Sequence, residues 1–237
     1  MPETLHYGAA PWQFGQLWLP DSREAAPLVV LIHGGFWRAG KSLALTEPLA
    51  AAIREAGLAV WNIEYRAGEP DHDWRATLAD ITAAVDFAAT LADRLVLVGH
   101  SAGGHLALRA AASRATRAEA VVSLAGICDL TAGARLGLGE HAVRDFLGGT
   151  PEEQPQRYAA ACPARQLPLG VPQVLIHGLA DDRVPVDISR RYARAVRAAG
   201  DRVELIEVAA DHRALIEPAT GAGRTVVSVI HHLALAR

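Results

Sequence analysis

Short apolar runs alternate with longer amphipathic stretches along most of this chain, and that alternation constrains its fold more than any other feature. Leu28–Ile32, Leu58–Ile63, Arg94–Val98, Ala120–Leu124, Pro172–Ile176 and Val203–Val208 read as strands. Between and after them, Ser42–Ala56, Trp74–Leu91, Ser101–Ala112, Val186–Ala199 and Ala219–Leu235 carry apolar residues at helical spacing. Gly57 and Gly200 follow two of these helices, where a residue tolerant of the left-handed conformation is favoured. Regular strand–helix alternation predicts an α/β architecture, a mainly parallel sheet with helices on both faces. Near the start, Leu5–Tyr7 and Gln16–Leu19 are separated by turn residues and predict an antiparallel hairpin at one edge.

The 237 residues fit one α/β domain over 1–237, and a hydrophobic fraction of 51 % supplies a large core. Only the segment 126–171 breaks the rhythm. It is rich in Gly and Pro, and it predicts a small cap-like insertion of two or three short helices, around His141–Leu147 and Glu152–Ala160. The formal net charge is −3, and the basic residues are scattered, which argues against nucleic acid as a partner. No apolar run is long enough to cross a bilayer, so no membrane partner is expected. Cys128 and Cys162 form neither a disulfide framework nor a metal-ligand spacing. Without a visible secretory signal, a reduced cytoplasmic setting is expected.

The most specific motif is Gly99-His100-Ser101-Ala102-Gly103, a G-x-S-x-G sequence between the strand Arg94–Val98 and a helix. A sharp strand-to-helix turn exposes a serine hydroxyl there, and small residues two before and two after it avoid collision. Ser101 is therefore the candidate nucleophile. Acyl transfer builds an oxyanion that needs prearranged donors. The N–H of Ala102 is one candidate. Gly34 and Gly35, in His33-Gly34-Gly35-Phe36-Trp37 directly after Leu28–Ile32, supply the others. His33 reads as an organiser of that loop. Phe36, Trp37, Trp74, His100 and Phe146 are candidate pocket residues.

A serine needs a general base, and in this arrangement the acid and then the histidine follow in chain order. Of ten histidines, His212 alone lies between the last strand and the last helix. His100 and His105 flank the turn itself, and His231 and His232 fall within a helix. Asp181 is the favoured acid in the loop after Pro172–Ile176, with Asp182 and Asp129 as alternatives.

These motifs resemble the α/β-hydrolases, nearest to small esterases with an HGG oxyanion loop and to kynurenine formamidases. The resemblance rests on His33–Trp37, on Gly99–Ala107 and on the acid loop ending Val184-Pro185, and it spans almost the whole chain. Asn62-Ile63-Glu64-Tyr65-Arg66 is similar to the D-Y-R segment of hormone-sensitive-lipase-like esterases, with Glu64 in place of Asp. With Leu28 already opening the third strand, no lipase-type N-terminal cap is expected. The resemblance implies hydrolysis of a small-molecule ester or amide without cofactor or metal. Short acyl esters come first, an aryl formamide held between Trp37 and Trp74 second. A ligand-binding protein on an inactive hydrolase fold is a third alternative, disfavoured because every part of a triad is present. Asp71-His72-Asp73 reads as a solvated loop rather than a metal site.

Overall fold

The computed structural model describes residues 1–21, 26–68, 73–113 and 118–235. One eight-stranded sheet organises them. Its strands are β1 (Glu3–His6), β2 (Phe14–Trp18), β3 (Leu28–Ile32), β4 (Val60–Ile63), β5 (Leu95–His100), β6 (Ala118–Leu124), β7 (Gln173–Gly178) and β8 (Val203–Val208). They lie in the order β1-β2-β4-β3-β5-β6-β7-β8. β1 pairs with β2 and β2 with β4 antiparallel, which is the expected hairpin, and all other pairs are parallel.

The side-chain alternation of the central strands divides the core into two layers. Val30, Ile32, Leu95 and Leu97 face one cluster together with helices α2 (Trp74–Leu91), α3 (Ala102–Ala111) and α7 (Asp187–Ala198). Val29, Leu31, Val96 and Val98 face the other, with α1 (Glu47–Glu55) and α8 (Gly221–Leu235). Both faces of β3 and β5 are covered, which explains why these strands read as unbroken apolar runs.

The chain leaves β3 through α1 toward β4 and returns through α2 to β5, so its winding direction reverses between β3 and β5. A crevice opens at the carboxyl ends of two strands at such a reversal, and ligands bind there in open α/β sheets. The loops carrying Gly34 and Ser101 leave the sheet at that point.

One expectation needs correction. The stretch 42–56 is not one helix: a 3₁₀ turn, Leu43–Leu45, precedes α1. Pro48 occupies the first turn of α1, where its missing N–H costs nothing. The Thr46 hydroxyl at the break lies 2.8 Å from Asn62 Oδ1, tying it to β4. The insertion holds three short helices, α4 (Leu130–Arg135), α5 (Leu138–Leu147) and α6 (Pro155–Ala161). Three is within the expected two or three, and the one not given a range, α4, is capped by Asp129, which accepts from Ala132 N at 3.1 Å.

α3 meets β3 in a very close backbone contact. A Cβ on Gly103 would run into the backbone carbonyls of Ile32 and His33, and one on Gly99 into the backbone of Gly103. Gly103→Ala is therefore expected to destabilise the protein by about 1–3 kcal/mol or more, the cost of overpacking a dense site. Denaturant unfolding reads this directly, and an unchanged midpoint would contradict so close an approach.

Candidate active site

Ser101 sits between the end of β5 and the start of α3 with φ 57° and ψ −119°. A positive φ is unfavourable for a residue with a Cβ, and it persists only where surrounding contacts enforce it. Here Ser101 N donates to Leu124 O at 2.8 Å, and Ser101 O accepts from Gly104 N at 3.0 Å and His105 N at 3.2 Å. The turn is thus pinned to β6 on one side and to its own helix on the other. Ala102 opens α3, where the first N–H groups have no partner within the helix.

Gly34 and Gly35 follow β3, and their loop is held from below. The His33 ring lies between two oxygens, Gly34 O at 2.7 Å from Nδ1 and Glu64 Oε1 at 2.8 Å from Nε2. It stacks on Tyr65 with centroids 4.3 Å apart, and the Tyr65 hydroxyl donates to His33 O at 2.9 Å. Glu64 also accepts from Leu43 N and Tyr65 N, each at 3.0 Å. This carboxylate joins the end of β4, the 3₁₀ turn and the glycine loop. The sequence marked Glu64 only as a substituted Asp; an acidic residue directly after a buried strand was the available sign of its bridging role.

His212 follows β8, and its Nδ1 lies 2.7 Å from Asp181 Oδ2. Asp181 follows β7, and its side chain is fully buried. Its Oδ1 accepts from Arg183 N at 2.8 Å and Val184 N at 2.7 Å, and His177 Nε2 lies 3.3 Å from Oδ2. Burial alone would raise this carboxyl. Hydrogen bonds from His177 and His212, with the Val184 N–H, overcome that effect and hold it well below the usual carboxylate range. Asp182 instead lies exposed beside Arg183, and Asp129 caps α4. Of the three acids, Asp181 alone is brought to His212.

A cavity of about 500 Å³ is lined by Gly34, Gly35, Phe36, His100, Ser101 and His212. Its outer wall adds Lys41, Leu45, Pro48, Asp182, Arg183, Asp211, Arg213, Ile216 and Glu217. Apart from Asp182, these wall residues carry no local sequence signal, because loops from distant parts of the chain converge there. Three expected pocket residues lie elsewhere. Trp37 and Phe146 are buried and stack on each other at 4.6 Å, and Trp37 Nε1 donates to His105 Nδ1 at 3.2 Å. Trp74 lines a separate cavity of about 330 Å³ with Arg75, Leu78 and Arg109. Large apolar rings contribute more by burial in the core than by lining an open cleft. The insertion reaches the site through Phe36. Gly139 of α5 lies against the Phe36 ring, and no residue of 126–171 lines the cavity.

The two cysteines are buried and unpaired, and burial pushes their thiols up to about 12 for Cys128 and about 11 for Cys162. Of the Asp71-His72-Asp73 stretch, the first two lie outside the described residues. Among the described residues no group of three His, Cys, Asp or Glu is placed to hold a metal, and no helix is long and apolar enough to cross a membrane.

Residues 16–196 match the BD-FAE family. The chain belongs to that family. It is 24 % identical over 218 residues to esterase LipC of Mycobacterium tuberculosis, covering 81 % of this chain and 54 % of that protein. The chain spans about half the length of the curated relatives it matches. Among solved structures, a truncated carbohydrate esterase from gut microbiota superposes with a TM-score of 0.85 at 19 % identity, covering 100 % of this chain and 97 % of that one. The propionate-bound esterase Est2 of the planctomycete Thermogutta terrifontis gives 0.74 at 24 % identity, covering 97 % and 92 %. The sheet order and these superpositions establish the α/β-hydrolase fold for this BD-FAE chain.

The depressed Asp181 carboxyl has a consequence for acid stability. A carboxyl lowered in the folded state stabilises that state above its unfolded value of about 3.9. The contribution is lost as pH falls through the folded value. Asp181→Asn lacks this contribution, so its unfolding free energy should depend less on pH than the wild type's below about pH 4. Parallel denaturant titrations between neutral and acid pH test this, and identical slopes would contradict it.

Proposed function

We propose that this chain is a serine hydrolase that cleaves small carboxylic esters with short acyl groups. One observation carries the reading. The strained Ser101, the His212–Asp181 pair and the Gly34–Gly35 loop converge on one cavity at the winding reversal of the sheet. Similarity to a relative named as an esterase supports it.

In the proposed mechanism, Asp181 accepts from His212 Nδ1–H and fixes the tautomer that leaves Nε2 as proton acceptor. His212 takes the Ser101 proton as Oγ attacks the ester carbonyl. The N–H groups of Gly34 or Gly35 and of Ala102 hold the oxyanion. Collapse expels the alcohol with a proton from His212 and leaves an acyl-enzyme. Water, deprotonated by His212, then attacks and releases the acid. No step calls for a cofactor or metal.

The cavity wall supports the short acyl preference. Phe36, Leu45, Pro48 and Ile216 are interspersed with Lys41, Asp182, Arg183, Asp211, Arg213 and Glu217. A long chain seated against charged side chains forgoes about 0.8 kcal/mol for each CH₂ left unburied. Propionate in the Est2 neighbour fits the same size range. The formamidase alternative relied on a flat slot between Trp37 and Trp74. Those rings lie in the core and in a different cavity, so ester hydrolysis is the preferred reading.

Purified protein should hydrolyse p-nitrophenyl acetate and butyrate faster than the laurate ester. Ser101→Ala should lower kcat on the order of 10⁴–10⁶-fold. Asp181→Asn should be severely impaired and Asp182→Asn close to wild type. Near wild-type turnover in a folded Ser101→Ala protein would overturn the reading. Hydrolysis of N-formylkynurenine far above any simple ester would replace it with the formamidase one.

A further inference from the structure

We infer that His100 is a positioning residue: its Nε2–H donates to the backbone carbonyl of His212 and ties the loop of the base to the nucleophile turn. This rests on the proposed role of His212 as base. The observation is a hydrogen bond of 3.0 Å between residues 112 apart in sequence, with the two rings 4.6 Å from centroid to centroid. His100 is the last residue of β5 and immediately precedes Ser101, so its backbone moves with the nucleophile.

The His212 loop needs such a tie. It runs between β8 and the 3₁₀ turn Ala214–Ile216 without regular structure of its own. Asp181 fixes the direction of the His212 ring through Nδ1. Asp211 Oδ1 accepts from Arg213 N at 3.0 Å and Ala214 N at 2.9 Å, which shapes the chain beyond His212. Neither contact sets how far the His212 backbone stands from Ser101. The bond from His100 does, because it spans from the residue before the nucleophile to the peptide of the base. A base displaced by about 1 Å can lose on the order of 10²-fold in rate.

A histidine suits this place because it offers a donor without a charge. A carbonyl can only accept, so the hydrogen sits on Nε2. Burial, then the neighbouring His212, pushes the His100 ring down to about 3, so it stays neutral across ordinary pH. The reaction turns His212 into an imidazolium, and a lysine or arginine at position 100 would oppose that charge. The sequence placed His100 among the pocket residues. It does line the cavity, but its one donor is already engaged.

The test compares His100→Gln, whose side-chain amide reaches about as far as Nε2, with His100→Asn, which is too short, and His100→Leu, which has no donor. On p-nitrophenyl acetate, His100→Asn and His100→Leu should lose about 10–100-fold in kcat with KM changed little, and His100→Gln should recover most of it. Amide exchange over residues 208–216 should quicken in the Asn and Leu variants and remain near wild type in the Gln variant. Equal kcat in the Gln and Asn variants, or a wild-type kcat in folded His100→Leu, would overturn the inference. If the wild type hydrolyses no ester, the proposed function fails instead. The exchange comparison then still decides whether His100 holds the loop: identical rates in all variants mean that it does not.

Discussion

The backbone of α3 presses against the carbonyls of Ile32 and His33, with no side chain between them at Gly103. That contact sets the depth at which the helix meets the sheet. It also forces the chain to turn within one residue of β5, and Ser101 takes the positive φ that results. The strain is local, and it is held by bonds from β6 and from α3 itself. Because β3 supplies the opposing carbonyls, the loop after β3 begins beside the serine. The oxyanion candidates and the candidate nucleophile are therefore placed by one packing event.

The other half of the site is built on different strands and depends on polar ties. Asp181 leaves β7 and His212 leaves β8, and a 2.7 Å hydrogen bond couples them. The His177 contact and two backbone N–H groups keep the Asp181 carboxylate ionised despite its burial. The bond from His100 to His212 O joins this half to the first. Glu64 performs a comparable task for the glycine loop, holding His33 and two backbone amides at once. The structure thus separates two tasks: apolar packing fixes the strands, and a few buried polar groups fix the loops that rise from them.

This division explains what was legible in the sequence. Strands such as Leu28–Ile32 and the turn around Ser101 follow from short-range rules of burial, period and steric size, and they are found close to where those rules place them. Asp181 and His212 were legible because chain order and strand ends restrict the choice, and the structure brings them together. Of the expected pocket aromatics, Phe36 lines the cavity, but Trp37, Trp74 and Phe146 do not. Whether Trp37 points toward a cleft or stacks on Phe146 depends on where α5 lies, and no local pattern encodes that. Trp74 faces the space between α2 and α3 for the same reason. The break at Thr46 was hidden too, since Asn62, which lies beside its hydroxyl, belongs to a strand not yet formed locally.

In the proposed reaction, the packing of Gly103 and the His212–Asp181 pair together make Ser101 a nucleophile. Intact mass and peptide mapping after treatment with a fluorophosphonate test it most directly. A single adduct is expected, located on Ser101, and its formation should slow strongly in His212→Ala. An adduct on another residue, or labelling of Ser101 at an undiminished rate without His212, would contradict it.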